Sequence, residues 1–267
     1  MENEGFKLNS SSKTGILRVL VACEYSGTVR DAFRSLGHDA MSCDLLPTDA
    51  PGPHHMGDVM PLLEQAWDIV IAFPPCTYLC SSGMHWTVRG KRDPQLTEDA
   101  LRFVAGLLNA SATHIALENP VGAISTRIRK PDCVIHPWQF GHPESKTTCL
   151  WLKNLPALAP TKILSKPANG YWENQCKNGS QNKLPPSPDR WKLRSKTYQG
   201  IAEAMAEQWS AFALSARTNC RGANVVTNPG VQLTLNIMPT APVLAHIMPR
   251  ILTSKLSKKV VSCGESD

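Results

Sequence analysis

Cys76 stands in Phe73-Pro74-Pro75-Cys76-Thr77-Tyr78, directly after the apolar run Asp68-Ile69-Val70-Ile71-Ala72. A short apolar run closed by two prolines reads as a buried strand leading into a stiff turn. The turn would hold one cysteine at the carboxyl end of a strand, the edge where open α/β sheets bind ligands. A thiol placed there is a candidate nucleophile if its neighbours favour the thiolate or take up its charge in the reaction. The bland alternative is a small buried apolar group, the usual fate of an intracellular cysteine.

Glu118 gives the thiol a chemical partner. It lies in Leu117-Glu118-Asn119-Pro120, after the strand-like stretch His114 to Leu117, which puts a carboxyl group at the same edge from a neighbouring strand. A thiolate and a carboxyl group facing one pocket suit addition to an electron-poor ring. The sulfur attacks carbon while the acid donates a hydrogen bond or a proton to ring nitrogen.

Three more acids fall where a nucleoside cofactor would need them. Cys23-Glu24-Tyr25-Ser26-Gly27 joins the first strand to a helix whose exposed N–H groups would favour a negatively charged ligand group. Asp44 closes the second strand, where a carboxylate can accept hydrogen bonds from ribose hydroxyls. Asp58, in the turn Gly57-Asp58-Val59, can accept one from an adenine amino group. An aspartate at a strand end also serves as an ordinary cap.

The elements that must position these residues alternate from Arg18 to Leu152. Val19-Leu20-Val21-Ala22 reads as a buried parallel strand, followed by a helix that Ser26 can cap and in which Val29, Phe33 and Leu36 share a face before Gly37 ends it. Further strands are expected at Asp39 to Asp44, Asp68 to Phe73 and His114 to Leu117. Thr97 opens an amphipathic stretch with Leu101, Val104 and Leu108 on one side. Strands alternating with helices imply an α/β fold with a Rossmann-like, doubly wound, mostly parallel sheet.

The 267 residues, 42% of them hydrophobic, suffice for one main domain with a small satellite. The reading divides them into a flexible N-terminus (1–15), a catalytic domain (16–155 with 197–214), a small irregular basic and aromatic segment (156–196) and a tail (215–267) without a motif. Gln199 to Leu214 looks helical, with Ile201, Met205 and Trp209 at four-residue spacing. In the irregular segment Tyr171, Trp172 and Trp191 alternate with Lys162, Lys166, Lys177, Lys183, Arg190, Lys192 and Arg194. Such residues can grip phosphates and stack on bases, or form a solvated loop with a few anchors.

A net charge of +6 with a pI near 8.9 mildly favours a polyanionic partner. The nine cysteines show no paired Cys-x-x-Cys, which suits reduced thiols better than disulfides or a structural zinc site, and no metal is expected. Met1 to Gly15 lacks the apolar stretch of a signal peptide. The best membrane candidate, Ala241 to Leu252, is broken by Pro242, His246, Pro249 and Arg250. An intracellular protein with no membrane partner is expected.

Gly57-Asp58-Val59, Pro74-Pro75-Cys76 and Glu118-Asn119-Pro120, in that order, resemble the motifs of S-adenosylmethionine-dependent cytosine-C5 DNA methyltransferases, in the flavour of short, phage-like members. The resemblance covers about Arg18 to Leu152, with a weaker echo at Thr197 to Trp209. It implies a class I methyltransferase-like fold, S-adenosylmethionine as cofactor and DNA as partner. Cys76 would attack C6 of cytosine, Glu118 would engage N3 and the amino group, and Asn119 would fix that loop. Glu24, Ser26, Gly27 and Pro74 would border the cofactor, with Asp44 at its ribose and Asp58 at its adenine. Arg127 and Arg129 resemble paired arginines near the target base. Two other readings stay open: C5 methylation of RNA or free pyrimidine nucleotides, and a non-catalytic nucleic-acid-binding protein on the same scaffold. Amino-group methylation fits less well, because Phe73 offers no acceptor where such chemistry needs one.

Overall fold

In the computed structural model, which describes residues 15–175, 187 and 190–222, strands and helices alternate along the chain. They are β1 (Arg18–Ala22), α1 (Thr28–Ser35), β2 (Asp39–Asp44), β3 (His54–Met56), β4 (Ile69–Ala72), α2 (Ser81–Val88), α3 (Gln95–Leu108), β5 (His114–Asn119), α4 (Ala123–Arg127), β6 (Cys133–Ile135), β7 (Thr148–Lys153), α5 (Arg190–Ser195) and α6 (Gln199–Gly222). The sheet has seven strands in the order β3-β2-β1-β4-β5-β7-β6. Strands β3 to β5 in that order run parallel, and β7 lies antiparallel to both β5 and β6. The order reverses between β1 and β4, so the sheet is doubly wound, and the crevice at their carboxyl ends is where open α/β sheets take ligands.

The central strands are buried on both faces, as parallel strands are. Leu20, Val70, Ile115 and Leu117 face a core shared with Val104 and Leu107 of α3. Val19, Val21, Ile69, Ile71 and Ala116 face the opposite core, where Val29 and Phe33 of α1 meet Ile201, Met205 and Trp209 of α6. The expected strands lie at or within two residues of their expected bounds, and Gly37, at φ 83°, stops α1. Three differences have local causes. Leu36 is 45% exposed because α1 ends before it, α3 starts two residues before Thr97 at Gln95, and Glu118 lies within β5 rather than beyond it.

Helix α6 also runs on past Leu214 to Gly222. Phe212 packs edge-on against His114, while Arg217 binds the Asp68 carboxylate and the carbonyl of Ile16, so tertiary contacts hold the added turns. The expected flexible N-terminus up to residue 14 and the tail from 223 onward, with its lysine cluster, lie outside the described residues, as do Lys177 and Lys183. No helix among the described residues is long and apolar enough to cross a membrane.

Trp209 is fully buried, and its indole N–H donates to the carbonyl of Pro156 at 3.1 Å. Trp209→Ala therefore leaves both a cavity and an orphaned carbonyl, and a loss of about 3–5 kcal/mol is expected in urea unfolding, with no loss expected for the exposed Leu36→Ala.

Candidate active site

Ala72 of β4 pairs in register with Leu117 of β5, so the chain leaves β4 beside the position of Glu118. The two loops that follow are stitched together. Asn119 Nδ2 donates to the carbonyl of Pro74 at 2.8 Å in a buried bond, while its Oδ1 is buried with no partner. The N–H of Ser81 donates to the carbonyl of Val121 at 3.0 Å, and that of Ala123 to the carbonyl of Leu79 at 2.7 Å. Gly122 makes the approach feasible, since a Cβ there would stand 1.9 Å from the Leu79 carbonyl oxygen and 2.8 Å from Cys80 Cα.

Cys76 opens a 3-10 turn, Cys76–Tyr78, and is half-buried rather than sealed in the core. Its sulfur is in hydrogen-bond contact with that of Cys80, and its thiol is pushed well up by that contact, by burial and by the Glu118 charge, against the pull of Lys146. Cys80 is pulled down to about 5, first by the hydrogen bond from Cys76 and then, against burial, by the Ser82 hydroxyl and the Gly83 amide. Two neighbouring sulfurs titrate as one unit, and the additional donors of Ser82 and Gly83 favour charge on the Cys80 side of the pair.

Glu118 has its acidity weakened. Burial raises its carboxyl above the ordinary carboxylate range, opposed by the Lys146 charge and a hydrogen bond from Thr148. A carboxyl group that favours its proton can donate to a ring nitrogen, and a neighbouring thiol that loses its own can attack carbon. Lys146 and Thr148 reach this edge because antiparallel β7 begins there, with Cys149 opposite Asn119. The hollow beside Glu118 is lined by Phe73, Lys146, Thr148, Ser195, Thr197 and Tyr198, not by Cys76, and has room for about 20 Å³, the space of one water. A ring entering this hollow would have to displace Ser195 to Tyr198.

The residues expected to border a cofactor gather around the ends of β1, β2 and β3. The charges of Asp44 and Asp58 both act on the thiol of Cys23, whose φ is 60°, so the two carboxylates approach one place in front of β1. Each also closes a local turn, Asp44 to the N–H of Leu46 at 2.9 Å and Asp58 to that of Met60 at 3.0 Å. Helix α1 corrects the sequence reading. Its N-cap is Gly27, in left-handed conformation, and Ser26 is not the cap. The buried Glu24 carboxylate takes the free amides instead, from Val29 at 2.7 Å and Arg30 at 3.2 Å, with Ser26 donating to it at 3.2 Å. Burial raises Glu24, and these hydrogen bonds oppose the rise. The amides expected to meet a ligand anion are already filled. Pro74 is buried, and its carbonyl is used by Asn119.

Other expected residues stand apart. Arg127 pairs with Glu98 at 3.0 Å on the surface. Arg129 binds Asp132 at 2.6 Å and the Leu152 carbonyl at 2.8 Å, toward the end of β7 remote from Thr148. Neither guanidinium joins Cys76 and Glu118. In the irregular segment, Trp172 is buried and stacks on Trp138 at 6.0 Å, so it anchors the loop instead of presenting a face to bases. Lys192 is paired with Asp49 at 2.6 Å, and Tyr25 donates to its carbonyl at 2.9 Å, which seats α5 on the β1 loop. Lys162, Lys166, Tyr171 and Arg194 are exposed. No cluster of three metal-ligating side chains occurs among the described residues. Cys80 and Lys146 were missed by sequence reasoning. Cys80, one turn beyond Cys76, carried a usable signal, whereas Lys146 had none.

No protein-family model matches the chain, and no curated protein matches it. Among solved structures, the Entamoeba histolytica methyltransferase EhMeth aligns at 16% sequence identity and a TM-score of 0.34. The alignment covers 56% of this chain and 58% of that one.

Because the folded Glu118 carboxyl is raised above the unfolded value, it keeps its proton to higher pH than the unfolded chain does. Its cost to stability is absent below the unfolded value and grows as pH rises toward the folded one. Glu118→Gln is therefore expected to raise Tm at pH 8 and to match the wild type near pH 4.5, as followed by thermal melts; an equal shift at both values contradicts the burial argument.

Proposed function

We propose that this protein transfers a methyl group from S-adenosylmethionine to C5 of cytosine in DNA through a covalent bond between Cys76 and C6. The observation that supports the reading is that Cys76 and Glu118 come from the loop after β4 and from the adjacent β5, near enough for the Glu118 charge to act on the thiol. In this reading Cys76 first loses its thiol proton to solvent water and attacks C6 as the thiolate while Glu118 gives its proton to N3, so that charge does not build up on the ring. Negative character then develops at C5. When bound, S-adenosylmethionine supplies an electrophilic methyl group for that carbon. After transfer, the C5 proton passes to solvent water, the C5–H electron pair re-forms the ring double bond as Cys76 is expelled from C6 as the thiolate, and Glu118 takes its proton back from N3.

The donor set fits the nucleoside part of such a cofactor. Asp44 and Asp58 offer carboxylates at the carboxyl ends of β2 and β3, beside the reversal of strand order where nucleosides bind in doubly wound sheets. Lys146 is added to the proposed site, as a cation that holds Glu118 and Cys76 in partial balance. Arg127 and Arg129 are left out of it. DNA is favoured as substrate by the +6 charge and the exposed Lys162, Lys166, Tyr171 and Arg194. A cytosine must be rotated out of a duplex before C6 is reached.

Incubation with labelled S-adenosylmethionine and duplex, single-stranded or mononucleotide substrates is expected to label DNA and to release tritium from C5-tritiated cytosine. Cys76→Ser should lower the rate by more than about 10³-fold and abolish covalent capture of DNA containing 5-fluorocytosine. Retained transfer in this variant removes the thiolate mechanism, and labelling of nucleotides alone removes DNA as the substrate.

A further inference from the structure

The hollow beside Glu118 is walled on one side by Ser195, Thr197 and Tyr198, at and beyond the end of α5. This wall is held unequally at its two ends. Toward α6 it is fixed in the fold: Tyr198 packs against the core that α6 covers, its hydroxyl donates to the Glu144 carboxylate, and the N–H of Gly200 donates to His142 Nε2 at 3.0 Å. Gly200 lies so near the loop after β6 that a Cβ there would stand 2.1 Å from the Phe140 carbonyl oxygen. Toward α5 the hold is polar and lies at the surface. No described side chain of α5 belongs to either core, and Leu193 is 61% exposed. What seats α5 is the Tyr25 hydroxyl, which donates to the carbonyl of Lys192 at 2.9 Å and stands 3.1 Å from the Ser195 hydroxyl, together with the ion pair of Lys192 and Asp49 at 2.6 Å. The N–H of Asp49 donates in turn to the carbonyl of Tyr25 at 2.9 Å, so both latching groups sit on one joined pair of loops, after β1 and after β2.

We infer that residues 190–198 are a gate over the hollow, pivoting at Tyr198 and latched by Tyr25 and Asp49, which opens to let a target ring reach Glu118. The inference rests on that hollow being the place of the target ring. In the latched form the hollow has about 20 Å³, room for a water but not for a six-membered ring. The contacts that must break are one hydrogen bond and one partly exposed ion pair, both replaceable by water. A six-residue helix has no stability of its own in water, so release of the latch also frees the amides of α5. The fixed end at Tyr198 keeps the wall in place to close again over the bound ring.

Amide hydrogen exchange on the free protein at pH 7, read by mass spectrometry on peptides spanning 190–198, tests the gate without any methyl transfer. These peptides should exchange at least about tenfold faster than those of β1, α1 and α6. Tyr25→Phe should speed them a further fivefold or so, the effect of one hydrogen bond, and Asp49→Asn about twofold, with β1 and α1 unchanged. Sodium chloride at 1 M should reproduce the effect of Asp49→Asn in the wild type and add nothing in that variant. Exchange at the rate of α6, or a rate that Tyr25→Phe leaves unchanged, makes the segment a fixed part of the fold and overturns the inference. In the transfer assay, Tyr25→Phe should lower KM for duplex DNA about fivefold with kcat and KM for S-adenosylmethionine unchanged, since a larger fraction of the protein stands open. An unchanged or raised KM for DNA overturns the gating role. A wild type inactive on all substrates defeats the proposed function instead, and the exchange result still judges the gate.

Discussion

A single buried hydrogen bond, from the Asn119 side chain to the carbonyl of Pro74, joins the two loops on which the chemistry rests. Proline cannot donate, and its carbonyl at the end of a buried strand has no ladder partner, so an unfilled acceptor there would cost about 1–3 kcal/mol. The amide of Asn119 fills it from the neighbouring strand. The bonds from Ser81 to Val121 and from Ala123 to Leu79 then extend the join outward, and Gly122 allows the backbones to touch. The positions of the thiol pair and of Glu118 are consequently one geometric variable rather than two.

Within that frame the ionisable groups are driven in opposite directions by unlike surroundings. Glu118 is partly buried at the sheet edge and is met by a cation and a hydroxyl that oppose the effect of that burial. Cys80 sits at a helix start, with donors from Ser82 and Gly83. Lys146, just ahead of the reversed strand β7, places a positive charge beside Glu118 and Cys76 that favours their charged forms against burial.

Much of this frame could be read from residue order. Val19 to Ala22, Asp39 to Asp44 and Ile69 to Ala72 are short runs whose burial on both faces leaves an unbroken apolar signature, and the spacing of Ile201, Met205 and Trp209 declared the helix that covers one side. The shortest strands, β3 and β6, carry too few residues to show a period, and the apolar run of β7 says nothing of its direction. The site was legible where a residue acts through its own type, as with Cys76 and Glu118. It was not legible where a residue acts through what it meets in space. Ser26 looked like a cap because its type suits one, but Glu24 reaches farther and carries charge, so it took the amides. Arg129 looked free until Asp132 and the Leu152 carbonyl claimed it.

The filled start of α1 has a consequence for cofactor choice. Doubly wound proteins that hold dinucleotides set the pyrophosphate against bare amides at this first turn. Here the Glu24 carboxyl group already takes those donors, so a phosphodiester arriving at the same place would find the amides of Val29 and Arg30 occupied. A cofactor at this end of the sheet therefore has to be gripped by groups other than the amides of Val29 and Arg30.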